Sequence, residues 1–371
     1  MKKIFLIAAV AAIVACSKTD NFKETEEAPI DFTEVYIEKS TKAPYASLAN
    51  LQSDTRGFGV FGAKTKNNNV ETVIGKSTTE VNGGAQVTYS NSKWTYSPKR
   101  YWDKGASKYE FYAYAPYNAS TGESTRLLGT VSWDNTKAEN GFSISGFKQN
   151  TTVADMVDIL ADLSSQKNVT TFQNTVNFSF KHILSNINFY MAVSPDLKAD
   201  ENLNPVSVNS FSIGAVKMDG SYAYATSAYA WTVPANSATA TFNATQENNK
   251  VFAQRALKAT SDTNPASLQS SQIGDPTAVP GLTNLLFVPQ TLPTDTKYQV
   301  TIEYMIADET FNTTIDLNDF AKANNANDKT TVWAPGYQYT YILKIGPTPI
   351  EFGVTEIGSW GDGGTYEYTI E

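Results

Sequence analysis

The amino-acid sequence predicts an all-β protein of sandwich type, and three observations predict it. Apolar residues alternate with polar ones through whole segments, the pattern of a half-buried strand. The composition is rich in Thr, Val, Ser and aromatics, including 20 Tyr and 19 Phe, which suit strands better than helices. Gly, Asn and Pro punctuate the alternating runs at short intervals, which is turn chemistry.

The elements justify this in order. Tyr109, Phe111, Ala113 and Ala115 share a strand face until Pro116 stops the run. Val176, Phe178, Phe180, His182 and Leu184 form another. Apolar parity then passes to Ile187, Phe189 and Met191, so a bulge or bend is expected near Ser185. Tyr298, Val300, Ile302, Tyr304 and Ile306 lie on one face of a strand, with Gln299, Thr301 and Glu303 on the other. Tyr337, Tyr339, Tyr341, Leu343 and Ile345 repeat the pattern. Two shorter runs close the chain: Ile350, Phe352 and Val354, then Tyr366, Tyr368 and Ile370. Val153, Met156, Val157 and Leu160 fit helical spacing and can equally be read as a strand. Polar stretches at 64–69, 137–141, 198–204 and 256–272 read as surface loops. A domain boundary is placed near residue 172, giving sandwich domains at 29–172 and 173–371.

The first residues read differently. Lys2 and Lys3 precede eleven apolar residues at 4–14, and Ala15-Cys16 follows. The apolar run has signal-peptide length and falls short of the ~20 residues of a membrane-spanning helix. Ile13-Val14-Ala15-Cys16 resembles a bacterial lipobox. The expectation is a signal peptide at 1–15, cleavage before Cys16 and a lipid on its thiol. Residues 16–28 would then be the lipidated Cys and a polar tether with nothing to build a core from.

Charge and residue counts limit the chemistry. Net charge is −8, pI is about 4.9 and no basic run is present, which argues against nucleic acid as a partner. Cys16 is the one cysteine in the sequence, so no disulfide can form within the chain. His182 is the one histidine, so a histidine-based metal cluster cannot form, and its place in an apolar run reads as a core or bend residue. The sequence has no Gly-x-Ser-x-Gly elbow, no Walker loop and no Gly-x-Gly-x-x-Gly opening a helix. Asp316-Leu317-Asn318-Asp319 lacks the EF-hand pattern and reads as a solvated loop. Trp94, Trp102, Trp133, Trp231, Trp333 and Trp360 could stack on sugars, but most adjoin strand patterns and read as packing. No cofactor and no enzyme activity are expected.

Several motifs, taken in order, resemble the fimbrillin family of Bacteroidetes, the Mfa-like subunits of type V pili. They are Ile30-Asp31-Phe32 followed by Ser40-Thr41-Lys42-Ala43, then Phe58-Gly59-Val60-Phe61-Gly62. Next come Trp94-Thr95-Tyr96-Ser97-Pro98-Lys99-Arg100-Tyr101-Trp102 and Tyr109-Glu110-Phe111-Tyr112-Ala113-Tyr114-Ala115-Pro116. Phe178-Ser179-Phe180-Lys181-His182, Trp333-Ala334-Pro335-Gly336-Tyr337 and Trp360-Gly361-Asp362-Gly363-Gly364 complete the series. Each is only an aromatic strand or turn; their order behind a lipobox carries the resemblance.

The resemblance implies two transthyretin-like β-sandwich domains in tandem, behind the signal peptide and tether. It implies a cell-surface fimbria serving adhesion, with an outer-membrane lipoprotein precursor, other pilus subunits as partners and a processing protease. Acidic tethers act as surface-export signals in some Bacteroidetes lipoproteins, and this tether is similar. A trypsin-like cut after the first strand would let that strand leave, and the tail of another subunit would fill the groove. Ile30, Phe32, Val35 and Ile37 are the candidate residues of the removable strand, but parity changes between Phe32 and Val35, so one face cannot be assigned. Lys42 stands where many relatives carry Arg, and Arg56 is the runner-up for cleavage. Lys42 leaves shaft and anchor roles both open. Ile350, Phe352, Val354, Tyr366, Tyr368 and Ile370 are donor candidates, and they argue against a tip subunit. Two rival readings are a monomeric surface lipoprotein that binds glycan and a lipid-anchored hydrolase.

Overall fold

The structure, a computed structural model, describes residues 28–37, 45–75, 83–118, 128–133, 141–162, 175–193, 206–225, 228–245, 284–292, 298–306, 308–317, 321–322, 325–329, 331–345, 351–354, 361–362 and 367–368. The chain first forms β1 (Phe32–Ile37), β2 (Phe58–Lys66), β3 (Asn69–Ile74), β4 (Ala85–Ser90), β5 (Lys93–Thr95), β6 (Lys108–Ala115), β7 (Thr130–Trp133), β8 (Phe142–Lys148) and β9 (Leu160–Asp162). Then come β10 (Val176–His182), β11 (Ser185–Val193), β12 (Val206–Lys217), β13 (Asp219–Ala225), β14 (Ala228–Thr232) and β15 (Thr239–Thr245). After these lie β16 (Leu285–Phe287), β17 (Gln290–Thr291), β18 (Gln299–Ile306), β19 (Glu309–Asp316), β20 (Ala321–Lys322), β21 (Asn325–Lys329) and β22 (Val332–Trp333). The chain ends through β23 (Tyr337–Ile345), β24 (Glu351–Val354), β25 (Gly361–Asp362) and β26 (Glu367–Tyr368). A short helix, α1 (Leu48–Ser53), and a 3-10 turn (Val153–Asp155) interrupt the strands. The all-β class expected from the alternation is the class observed.

The first sheet runs β1-β10-β9-β6-β2-β4-β5, with β3 paired to β2. A second runs β16-β11-β23-β24-β26-β20-β21, with β25 against β23. Two four-stranded sheets, β15-β12-β18-β19 and β14-β13-β8-β7, and the pair β17–β22 complete the set. Residue 172 itself lies outside the described residues. Pairings link the segments before and after it: β10 belongs to the first sheet, and β8 pairs with β13.

Alternation reads directly into packing where one face is wet. Along β18, Val300, Ile302 and Tyr304 are buried while Gln299 is exposed. β6 of the first sheet is different, because both its faces are covered. Tyr109, Phe111, Ala113 and Ala115 of β6 enter one core with Phe58, Val60, Phe178 and Phe180. Tyr112 and Tyr114, of opposite parity, enter another core with Phe61, Leu128, Val131 and Phe142. That second core continues through Ile187, Phe211 and Phe287 to Trp333 and Tyr341, so it fastens the first sheet to the others.

Two local expectations change and a third holds. The polar stretch 64–69 is no loop; β2 and β3 form a hairpin with Lys66 opposite Asn69. Asn67 and Asn68 turn it at φ 51° and 62°, the left-handed conformation that Asn tolerates in tight hairpins. The Val153 to Leu160 stretch is neither one helix nor one strand: a 3-10 turn comes first, and β9 starts at Leu160. The bend near Ser185 falls at Ile183-Leu184, where the chain leaves the first sheet for the second.

Phe58 centres the first core, with its ring 5.0 Å from Trp94, 5.5 Å from Phe180 and 5.9 Å from Phe178. Phe58→Ala is expected to cost about 3–5 kcal/mol, measured by urea unfolding.

Candidate functional site

β1 is the edge strand of the first sheet, and it pairs with β10 in parallel. Phe32 stands opposite Val176, Val35 opposite Phe178 and Ile37 opposite Phe180, with a register shift between Phe32 and Val35. Thr33 and Glu34 therefore span the step that Asn177 spans alone, which is a β-bulge. The bulge explains the change of parity in the sequence. Ile30, Phe32 and Val35 are 0%, 2% and 3% exposed on one face, while Thr33, Glu34 and Tyr36 face solvent and Ile37 is half-buried.

The buried side chains hold β1 down. The Phe32 ring lies 5.2 Å from Tyr96, 5.4 Å from Phe178, 6.2 Å from Phe111 and 6.5 Å from Phe58. Burying Ile30, Phe32 and Val35 is worth about 5–9 kcal/mol together, as an upper bound. The chain entering β1 is clasped as well. Ile30 N–H donates to Arg100 O at 2.8 Å, Trp102 N–H to Ala28 O at 3.0 Å and the Tyr96 hydroxyl to Ile30 O at 2.8 Å. The Lys99–Asp31 ion pair at 2.7 Å and the Asn177–Glu34 hydrogen bond at 2.7 Å are exposed and add little. On the side of β1 away from β10 lies an open groove of about 1080 Å³, lined by Tyr36, Leu48, Tyr89, Trp94, Lys99 and Tyr101.

The two basic cleavage candidates differ. Lys42 lies between Ile37 and Tyr45 in 38–44, outside the described residues. Arg56 is described and engaged. Its Nε donates to Asp54 Oδ1 at 2.9 Å and its Nη2 to Asp54 Oδ2 at 2.7 Å. The Tyr45 hydroxyl donates to the same carboxylate. Burial opposes ionisation of Asp54, yet the hydrogen bonds from Arg56 and Tyr45 win and hold its carboxyl below the ordinary range. Burial, and then the bond to Asp54, pushes the Tyr45 hydroxyl up. The Arg56 carbonyl accepts from Gln86 Nε2 at 2.9 Å. Gly57 follows at φ +59°, where an added Cβ would sit 1.9 Å from Val87 O. The Arg56–Gly57 bond is thus locked into a packed turn. A cut there would also release α1 and Tyr45, whose Leu51 and ring are buried in the first core.

The tail candidates are paired inside the chain. β24 runs antiparallel to β23, with Phe352 opposite Leu343 and Val354 opposite Tyr341. β26 places Tyr368 opposite Phe352. Ile350, Tyr366, Ile370 and Cys16 lie outside the described residues.

His182 is a core residue. Its Nδ1 lies 3.0 Å from Asp158 Oδ1, and both side chains are buried. Tyr45 N–H donates to Asp158 Oδ2 at 3.4 Å. Sequence reasoning singled out neither Tyr45 nor Asp158, which stand 113 positions apart, and no local pattern marks such a meeting. α1 was missed as well, since its apolar content is small. Trp94, Trp102 and Trp333 are buried, and Trp133 and Trp231 pack against the core; among the described residues the tryptophans are packing groups rather than an open stacking platform.

The family model described as fimbrillin-like matches residues 41–360. The chain is 22% identical over 394 residues to "Fimbrium subunit Fim1C" of Phocaeicola vulgatus, covering 100% of this chain and 99% of that protein. The crystal structure of a fimbrial protein from Bacteroides vulgatus superposes with a TM-score of 0.59 at 20% identity, covering 90% of this chain and 99% of that one.

Asp54→Asn is expected to speed tryptic cleavage after Arg56 about tenfold, the weight of a charge-assisted hydrogen bond, read by peptide mapping. The pH sign follows from the depressed Asp54 value. The stability it contributes is present above the unfolded carboxylate value of about 3.9 and is lost as pH falls through the lower folded value. The variant should therefore lose less Tm than the parent on acidification below about pH 4.

Proposed function

The chain belongs to the fimbrillin-like family, and from that premise we propose a structural pilus subunit that polymerises on the cell surface by exchanging its first strand. The family is one of structural subunits and not of enzymes. The observation that carries the proposal is β1 itself: an edge strand that nonetheless buries Ile30, Phe32 and Val35 in a ring cluster. Its removal would bare a groove at a cost comparable to the whole stability of a domain, about 5–15 kcal/mol. Such a groove has to be refilled, and a strand from a neighbour restores both backbone pairing and side-chain burial.

The sequence of events is as follows. The precursor is exported and held in the outer membrane by lipid on Cys16. A protease cuts after Lys42, in the connection between β1 and Tyr45. The engaged state of Arg56 supports Lys42 as the site. The fragment carrying Ile30, Phe32, Val35 and Ile37 departs. A tail strand of another subunit, from Ile350, Phe352 and Val354 or from Tyr366, Tyr368 and Ile370, takes its place. Repetition gives a fimbria that serves adhesion.

Two measurements test this. N-terminal sequencing of surface polymer should read from Ala43, and deletion of 350–371 should abolish polymer while the subunit still folds. Surface material that starts at Cys16, or normal fimbriae from the deletion, overturns the proposal.

A further inference from the structure

An edge strand offers unpaired backbone groups, and proteins guard it with shortness, charge, proline or a bulge. The other edge strands among the described residues are guarded so. β1 is bulged. β3 pairs with β2 across a register shift and carries Glu71 near its centre. β5, β7, β16, β17, β22 and β25 run for two to four residues. β14 has five, β15 crosses a bulge in β12, and β21 is irregular and ends in Asp328-Lys329. β19 has none of these guards. It runs for eight residues, ends its sheet beside β18 and pairs with it through an unbroken register from Glu309 to Asp316. Between those two acidic ends lie Thr310, Phe311, Asn312, Thr313, Thr314 and Ile315, with no charge and no proline.

Exposure along the strand agrees. Glu309, Thr310, Asn312 and Thr314 face solvent, and Thr313 is half-buried. Phe311 and Thr313 share their parity with the buried Ile315. The Phe311 ring stacks on Tyr304 at 5.3 Å, yet it stays 36% exposed, the one phenylalanine so exposed among the described residues. β18 gives it a neighbour on one side, and no described strand lies beyond β19 to give it another.

We propose that β19 is a lateral self-association strand, which pairs antiparallel with β19 of a second copy about a two-fold axis at Thr313. Symmetry and charge select this occupant and this register. A second copy brings the same unguarded edge, and a two-fold contact is the commonest form of self-association. With Thr313 on the axis, Phe311 stands opposite Ile315 of the second copy, Asn312 opposite Thr314 and Thr310 opposite Asp316. Phe311 gains the apolar cross-strand neighbour that its own sheet lacks, and a hydroxyl meets each Asp316. An axis at Asn312 sets Asp308 against Asp316, and like charges directly opposite are unfavourable. An axis between Asn312 and Thr313 sets Glu309 against Asp316 and turns the two cores to opposite sides of the joined sheet. The ladder is small beside a standard interface, so free subunits pair weakly. A polymer repeats the strand once per subunit, and the contacts add through effective concentration, which draws fimbriae into bundles side by side. That role rests on the pilus reading above; the pairing itself does not.

The test uses the chain from residue 17, which keeps every described residue and lacks Cys16. Sedimentation equilibrium should show monomer and dimer, with the dimer favoured as salt rises, because salt screens the repulsion between two acidic copies. Asn312→Asp adds an acid at an exposed position, diagonal to Asp316 of the second copy, and should weaken the dimer roughly five- to tenfold at low salt. Thr313→Cys should oxidise to a covalent dimer, since opposed Cα atoms stand about 4.5–5.5 Å apart, within reach of a disulfide. Thr310→Cys, whose counterpart lies far along the ladder, should not; the cysteine arm stands even where Asn312→Asp fails to fold. A chain that is monomeric at every salt concentration, an unchanged dimer in Asn312→Asp, or equal cross-linking at 310 and 313 overturns the inference. These arms read the pairing whether or not polymer forms, so a failure of the pilus reading stays distinct from a failure here. In fimbriae taken from cells, wild-type filaments should lie in bundles and Asn312→Asp filaments singly. Single wild-type filaments built from a subunit that dimerises in solution overturn the bundling role.

Discussion

Phe32 sits where the rings of Tyr96, Phe178, Phe111 and Phe58 converge, and the first sheet depends on that packing. An edge strand is ordinarily the cheapest part of a sheet to lose, because only one of its sides is paired. Here the edge strand also closes the core. The polar bonds around it, Lys99 to Asp31 and Asn177 to Glu34, are exposed and weak by comparison. The strand is therefore held by side-chain burial and not by charge.

The rest of the first sheet is built to keep its shape around that seat. β6 is buried on both faces, so its two residue parities fasten two different cores. β10 carries the seat and then passes through Ile183-Leu184 into β11 and the second sheet. Ile183 N–H donates to Ile159 O at 3.0 Å and Ile183 O accepts from Trp231 Nε1 at 2.6 Å. The junction is thus pinned from both sides. β10 is held by β9 on its other edge, independently of β1.

Residues on either side of 38–44 are held differently. Upstream, β1 ends with Tyr36 exposed and Ile37 half-buried. Downstream, Tyr45 is anchored by its ring in the core, by its hydroxyl on Asp54 and by its amide on Asp158, which also meets His182. Segment 38–44 therefore lies between an edge strand and an anchored turn. A cut at Arg56 would divide the anchored part itself.

Strand periodicity is a local property, so the all-β class, the runs that became β6, β10, β18 and β23, and the apolar residues of β1 were legible in the amino-acid order alone. So was the family, since its motifs follow one another along the chain. The bulge was visible only as a broken parity at Phe32 and Val35; that it turns both residues to one face was decided by the fixed spacing of β10. The Asn67-Asn68 hairpin was masked by its polar composition. The partners of Tyr45, Asp158 and His182, the burial of β6 on both faces and the parallel pairing of β1 with β10 arise between residues far apart in the chain. No nearby residue encodes such a contact, and only the closing of the sheets around two cores brought those groups together.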